Sequence, residues 1–187
     1  MTFSRRETLS VSAAGALALA ARGHAASAAP SPAFVTRDGT RLMRGGMPYR
    51  ITGTNLWYAA WLGADADYGD RARLVRELDR LQALGINNLR IMAAAEEGPL
   101  KNAIKPGFTH ADGSPNAALL EGLDFAMAEI ARRAMTAVLV LSNFWEWSGG
   151  LQTLLYRATG RYIDMGDPAH PWPAFADATA KVYANPD

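Results

Sequence analysis

Cysteine is absent from the 187 residues, and histidine occurs only three times. The first absence excludes a disulfide framework and any thiolate-held metal. The histidines, His24, His110 and His170, show no H-E-x-x-H type of spacing, so no metal site is expected. An excess of charge of one sign is missing too, with 19 basic against 18 acidic residues. That balance offers neither the basic stripe of a nucleic-acid binder nor a membrane-surface patch. What charge asymmetry exists lies at one end. Arg5, Arg6 and Arg22 against Glu7 give residues 1–29 a local +2 and leave the remainder near −1.

What is present is a composition of 49% apolar and 20% charged residues, suited to one ordinary soluble domain. The first 29 residues read as an address. Arg5-Arg6 precedes a short apolar stretch from Val11 to Ala21, and Ala26-Ser27-Ala28 supplies a small-residue cleavage site. A charged start, an apolar stretch too short to span a bilayer and an A-x-A ending describe an export signal. SRRETL resembles a twin-arginine signal; a Sec signal or an uncleaved membrane anchor are the alternatives. The mature protein is therefore expected outside the cytoplasm, secreted or periplasmic, free of the membrane once the signal is removed, with residues 30–187 as its folded part.

After a Pro/Ser/Ala linker, FVTR, the Asp38-Gly39 turn, TRLMR and the Gly45-Gly46 turn predict a small hairpin. PYRITGTNLW alternates like a strand, with Ile51, Gly53, Asn55 and Trp57 on one face. Asp70 is placed to cap a helix carrying Leu74, Leu78 and Leu81, ended by Gly85. NNLRIM predicts the next strand, with Leu89 and Ile91 facing one way and Asn88, Arg90 and Met92 the other. Asn116 is placed to cap a second helix with the stripe Leu119, Leu123, Met127 and Ile130. TAVLVLS predicts a strand apolar on both faces, as in a parallel sheet covered on both sides. Helices are expected over Leu151–Ala158 and Trp172–Tyr183. Asn185-Pro186 reads as an N-cap followed by proline at the first helical position. Alternating strands and helices imply an α/β fold with right-handed βαβ units.

The connections are lopsided. Helix-to-strand links are short, whereas YAAWLGADADYG and AAAEEGPLKNAIKPGFTHADGSP follow strands. The second exceeds the roughly 12–15 residues beyond which loops in compact domains are usually functional. Long loops at the carboxyl ends of parallel strands mark the face where ligands bind.

That face collects Asn55 and Trp57, then Arg90, then NFWEWSGG over residues 143–150. Aromatics beside amides and a cation suit sugars, because an indole stacks on a pyranose face while its hydroxyls need donors and acceptors. Trp57, Trp61, Trp145 and Trp147 are equally open to a core reading. Arg90 belongs either to a buried ion pair or to an arginine that orients a catalytic carboxylate and lowers its pKa.

GTNLWY, LGINNLRIMAA and LVLSNFWEWSGG, at their spacings and with DPAHPWP, resemble glycoside hydrolase family 5, specifically its bacterial endo-β-1,4-mannanases, over nearly all of residues 34–187. The resemblance implies the N-terminal portion of a (β/α)8 TIM barrel, truncated after about three barrel strands. It implies retaining hydrolysis of β-mannan polysaccharide or oligosaccharide without cofactor or metal, by a protein expected to be monomeric at full length. Arg90 is similar to the arginine that supports the nucleophile. Trp57 falls at a substrate-contacting aromatic, and Asn55, Asn143 and Trp145 are carried over as substrate-binding. The family's acid/base glutamate follows its fourth strand and its nucleophile the seventh, so both are expected beyond Asp187 and no catalytic glutamate is assigned here. Glu96, Glu97 and Glu146 lie in loops without the matching motifs.

An endoglucanase of the same family and a non-catalytic sugar-binding protein are the alternatives. The export reading predicts that Lys at both Arg5 and Arg6 blocks secretion, and that N-terminal sequencing of secreted protein starts near Ala29. A mature chain still beginning at Met1 contradicts it.

Overall fold

The computed structural model describes residues 33–184. The export reading of residues 1–29 and the helix-start reading of Asn185-Pro186 lie outside the described residues.

Strands β1 (Val35–Asp38), β2 (Arg41–Arg44) and β3 (Met47–Pro48) form an antiparallel sheet in that order. Their turns are Gly39-Thr40, one position past the predicted Asp38-Gly39, and the predicted Gly45-Gly46. Beyond them the single alternating strand expected across residues 48–57 is interrupted. Only Gly53–Asn55 is strand (β4), and it joins a different sheet. The interruption has a cause: the Asn87 side chain takes the place of a ladder partner. Its Oδ1 accepts from Thr52 N at 2.9 Å and its Nδ2 donates to the Arg50 carbonyl at 2.8 Å. Tyr49 joins the two sheets, its hydroxyl donating to the Asn87 carbonyl at 3.0 Å and lying 2.8 Å from Thr136 Oγ1.

The second sheet is parallel, in the order β4, β5 (Asn88–Met92), β6 (Thr136–Val140), with Asn55, Arg90 and Val138 in register. Five helices accompany it among the described residues: α1 (Ala59–Gly63), α2 (Arg71–Ala83), α3 (Ala117–Arg132), α4 (Gly150–Thr159) and α5 (Ala174–Ala180). Both predicted caps are made. Asp70 Oδ1 accepts from Arg73 N at 2.8 Å, and Asn116 Oδ1 accepts from Ala118 N at 3.1 Å.

One side of the sheet packs on α2 and α3. Leu56, Leu89 and Ile91 meet Leu74 and Leu78 of α2 and Ala126 and Ile130 of α3, all at most 4% exposed. Each leucine or isoleucine withdrawn from water in this way contributes about 1.5–3 kcal/mol. The same two helices are also tied by charge. Arg133 donates to Asp79 Oδ1 from Nε at 2.8 Å and Nη2 at 2.6 Å, and to Glu129 Oε2 from Nη1 at 2.8 Å. Arg133 thereby links Glu129 of α3, only 3% exposed, to Asp79 of α2 across the seam between the two helices.

Two expectations are corrected. YAAWLGADADYG is not an open loop, because α1 forms inside it and is buried throughout. Gly63 of α1 and Gly122 of α3 face each other so closely that a Cβ on either would overlap the other segment's backbone. Strand β6 is not covered on both faces. Val138 is 50% and Leu139 40% exposed, Val138 lying in register with the exposed Arg90 on a face that no described element covers.

An exposed apolar edge strand templates pairing with other chains. Residues 34–187 expressed alone are therefore expected to self-associate with concentration and to unfold over a broad temperature range. Val138→Lys should reduce that association in sedimentation analysis. A monodisperse chain with a sharp two-state transition contradicts the expectation.

Candidate functional site

Parallel pairing stacks the inward side chains in layers, since residues in register point the same way. The lower layer holds Gly53, Asn88 and Thr136, with Asn88 Nδ2 donating to Thr136 Oγ1 at 2.7 Å. The layer above, toward the carboxyl ends, holds Asn55, Arg90 and Val138. There Arg90 Nη1 donates to Asn55 Oδ1 at 3.2 Å. The structure thus brings two of the sequence-predicted residues into direct contact. It corrects the buried setting expected for Arg90: Leu89 and Ile91 are fully buried, and Arg90 between them is exposed. Among the described residues no element covers the Arg90 face and no carboxylate pairs with its guanidinium, so the cation stays hydrated.

The aromatic residues separate by depth. Trp57 stands above Asn55, half-buried, its backbone fixed by Met92 N donating to the Trp57 carbonyl at 3.2 Å. Its ring meets Tyr58, Trp61 and Trp147 edge-on, with centroids 5.4, 5.7 and 5.4 Å away. Edge-to-face contacts of this kind suit the ring quadrupoles. Trp61 is core: it is 7% exposed and its indole N–H donates to the Pro106 carbonyl at 2.9 Å. Trp145 is 40% exposed and stacks on Trp172, centroids 5.2 Å apart and planes 28° from parallel. Trp172 was expected at the start of a helix. That helix begins instead at Ala174 and leaves the indole 56% exposed. Its place in the proline-rich DPAHPWP was the available sign that it stands outside the helix.

The loop after β6 is built around its own polar groups. Asn143 Nδ2 donates to Ser148 Oγ at 2.9 Å, and its Oδ1 accepts from Trp145 N at 3.4 Å. The Asn143 amide therefore shapes the loop that presents Trp145. Gly149 adopts a φ of +78°, and a Cβ there would overlap the Glu96 carbonyl. The loop after β5 is seated in that gap, with Glu96 N donating to the Ser148 carbonyl at 2.9 Å.

Each loop carboxylate is held. Glu96, 7% exposed, accepts from Gly150 N at 2.9 Å through Oε2. Burial pushes its carboxyl pKa up, against the pull of the Gly150 N–H and the Arg157 charge. Glu97 Oε1 accepts from Gly107 N at 2.8 Å. Glu146, 2% exposed, accepts from Asn102 Nδ2 at 3.0 Å on one oxygen and from Met165 N at 2.7 Å on the other. These carboxylates brace loops, and none is presented as an acid and nucleophile pair.

Comparison with known proteins accords with this arrangement. The family described as "GH family 5 beta-mannosidase-like" matches residues 32–187. A mannan endo-1,4-beta-mannosidase of Arabidopsis thaliana is 27% identical over 75% of the chain and 31% of its own length. The crystal structure of a glycoside hydrolase family 5 mannosidase from Rhizomucor miehei superposes with a TM-score of 0.75 at 33% identity, covering 84% of this chain and 39% of that one. A second structure of that enzyme, in complex with mannosyl-fructose, gives 0.72 at 33% identity over 79% and 37%. The chain thus spans roughly a third to two fifths of the relatives it matches. With its parallel sheet, its loops at the carboxyl edge and a match over every described residue, the chain belongs to glycoside hydrolase family 5, in the β-mannosidase-like group, and its three parallel strands correspond to part of a (β/α)8 barrel.

Proposed function

We propose that these residues form the first three strand-and-helix units of an exported, retaining β-mannan hydrolase, endo-acting on the 1,4-linked backbone. The observation that carries this reading is the Asn55–Arg90 pair at the carboxyl ends of β4 and β5, with the half-buried Trp57 two residues beyond Asn55 in the chain. Arg90 is a fixed cation on rigid strands, suited to hydrogen-bond a carboxylate and hold it ionised. Trp57 offers a face to a pyranose ring. Retaining hydrolysis needs two carboxyl groups about 5–5.5 Å apart, one to protonate the leaving oxygen and one to attack the anomeric carbon. Family resemblance assigns those to glutamates after the fourth and seventh strands, and the engaged state of Glu96, Glu97 and Glu146 supports that assignment.

Mannan rather than glucan is favoured by the mannosidase names of the matched relatives. NFWEWSGG and DPAHPWP support the resemblance to bacterial endo-mannanases, while the matched relatives reported above are plant and fungal. The binding-protein reading is favoured by one observation: this chain carries an aromatic face without a free carboxylate pair. Sequencing the DNA after the Asp187 codon separates the two, because an open frame with an Asn-Glu pair supports the hydrolase and an immediate stop supports the binder.

In the intact enzyme, Arg90→Ala is expected to lower kcat about 100-fold, the effect of misplacing a reacting group by about 1 Å, with little change in mannan affinity. Trp57→Ala should raise KM with little change in kcat, since a stacking surface holds ground and transition states alike. Weakened binding with unaltered turnover in Arg90→Ala contradicts its role. The 187-residue chain alone is expected to release no reducing sugar from mannan.

A further inference from the structure

We infer that Trp172 joins Trp145 as a second stacking residue of the sugar site, a platform set apart from Trp57, and that Glu146 is the positioning residue that holds the two indoles together. The inference rests on the mannan reading above for the identity of the sugar.

Trp145 and Trp172 come from different loops, 26 positions' worth of chain and a whole helix lying between them in sequence. Their rings nonetheless lie nearly parallel, 28° apart with centroids 5.2 Å away, and both remain substantially exposed. An aromatic pair whose purpose is to fill a core is enclosed; this one keeps its outer faces in water. Beneath it, Phe144 meets Trp145 at 5.5 Å and the fully buried Phe175 at 6.2 Å, so the pair stands on a packed base. The stack leaves each indole one outer face, and such a face, braced from behind by the other ring, is what the C–H face of a pyranose needs. The chain just before Trp172 also lines a polar cavity of about 390 Å³ with Lys101, Tyr162, Asp164, Asp167 and His170. Its mix of donors and acceptors matches sugar hydroxyls rather than an apolar ligand.

Glu146 explains why the two loops meet. It is the residue after Trp145, and one of its oxygens accepts from Met165 N, in the segment that leads to Trp172. The other accepts from Asn102 Nδ2 in the loop after β5, where Ile104 N also donates to the Trp147 carbonyl at 2.7 Å. A carboxylate 2% exposed with a donor on each oxygen fixes three segments at one point. Leucine there accepts from neither donor, whereas glutamine can accept from Met165 N and donate to the Asn102 oxygen once that exposed amide turns over.

The test uses the intact enzyme with mannopentaose and a short aryl β-mannoside, together with equilibrium binding of mannopentaose and the exciton couplet of the tryptophan pair in circular dichroism. Trp172→Ala, a surface change, is expected to raise KM for mannopentaose at least about fivefold, leave the aryl mannoside unaffected and reduce the couplet to what Trp57, Trp61 and Trp147 supply. Glu146→Leu should do the same in part, and Glu146→Gln should keep both couplet and KM. Equal losses on long and short substrates in Glu146→Leu, or the same losses in a folded Glu146→Gln, reduce Glu146 to a stability role and overturn that half. Unchanged mannopentaose kinetics and binding in Trp172→Ala overturn the platform while leaving the hydrolase reading standing. Mannopentaose bound by a wild-type enzyme that cleaves nothing, with binding lost in Trp172→Ala, supports the platform and refutes the hydrolase.

Discussion

Three strands running the same way impose a constraint that everything else here obeys. A parallel pair cannot be joined by a tight turn, so the chain must cross from the carboxyl end of one strand to the amino end of the next. Helices α2 and α3 make those crossings, and the short turns at Gly85 and Ala134 return them to the sheet. From β4 onward, the remaining length of the first crossings accumulates at the opposite edge. Asn55, Arg90 and the tryptophans are there because strand polarity leaves the loops no other place.

Loops gathered at one edge must then be kept in shape without strands of their own, and buried carboxylates do this. Glu96 and Glu146 each present acceptors to backbone or amide donors of neighbouring loops, and Gly149 removes the side chain that would hold those loops apart. Withdrawing an ionisable group from water is costly unless its hydrogen bonds are made. Glu146 meets that condition on both oxygens. Glu96 meets it in part and shows the remainder as a raised pKa.

Much of this was legible in the sequence because it is local. Asp70 and Asn116 announce helix starts through the chemistry of one side chain against nearby amides, and β5 and β6 through short apolar runs. The working edge was legible from loop length alone. What escaped depends on partners distant in sequence. The break between β3 and β4 is made by Asn87, some 35 residues downstream. The burial of α1 depends on Gly122 of α3, and five residues carry too few turns to show a period. The exposure of Arg90 depends on what covers its face, which the residues of β5 do not encode. The Glu146 contacts reach Asn102 and Met165, and no local pattern distinguishes such a carboxylate from a catalytic one.

The glycine-to-glycine seam between α1 and α3 divides the connection after β4 into two parts with different freedom to change. Residues 59–63 are buried throughout, and at Gly63 the backbone lies so close to α3 that even a methyl group has no room. The stretch from Asp65 to Asp70 runs over the surface, mostly exposed. Relatives acquiring new specificity through this connection would therefore vary in length and composition within the second part, while the first stays small and fixed. An insertion meant to reshape the rim of the site belongs after Ala64, where the loop can grow without prising a helix from the core.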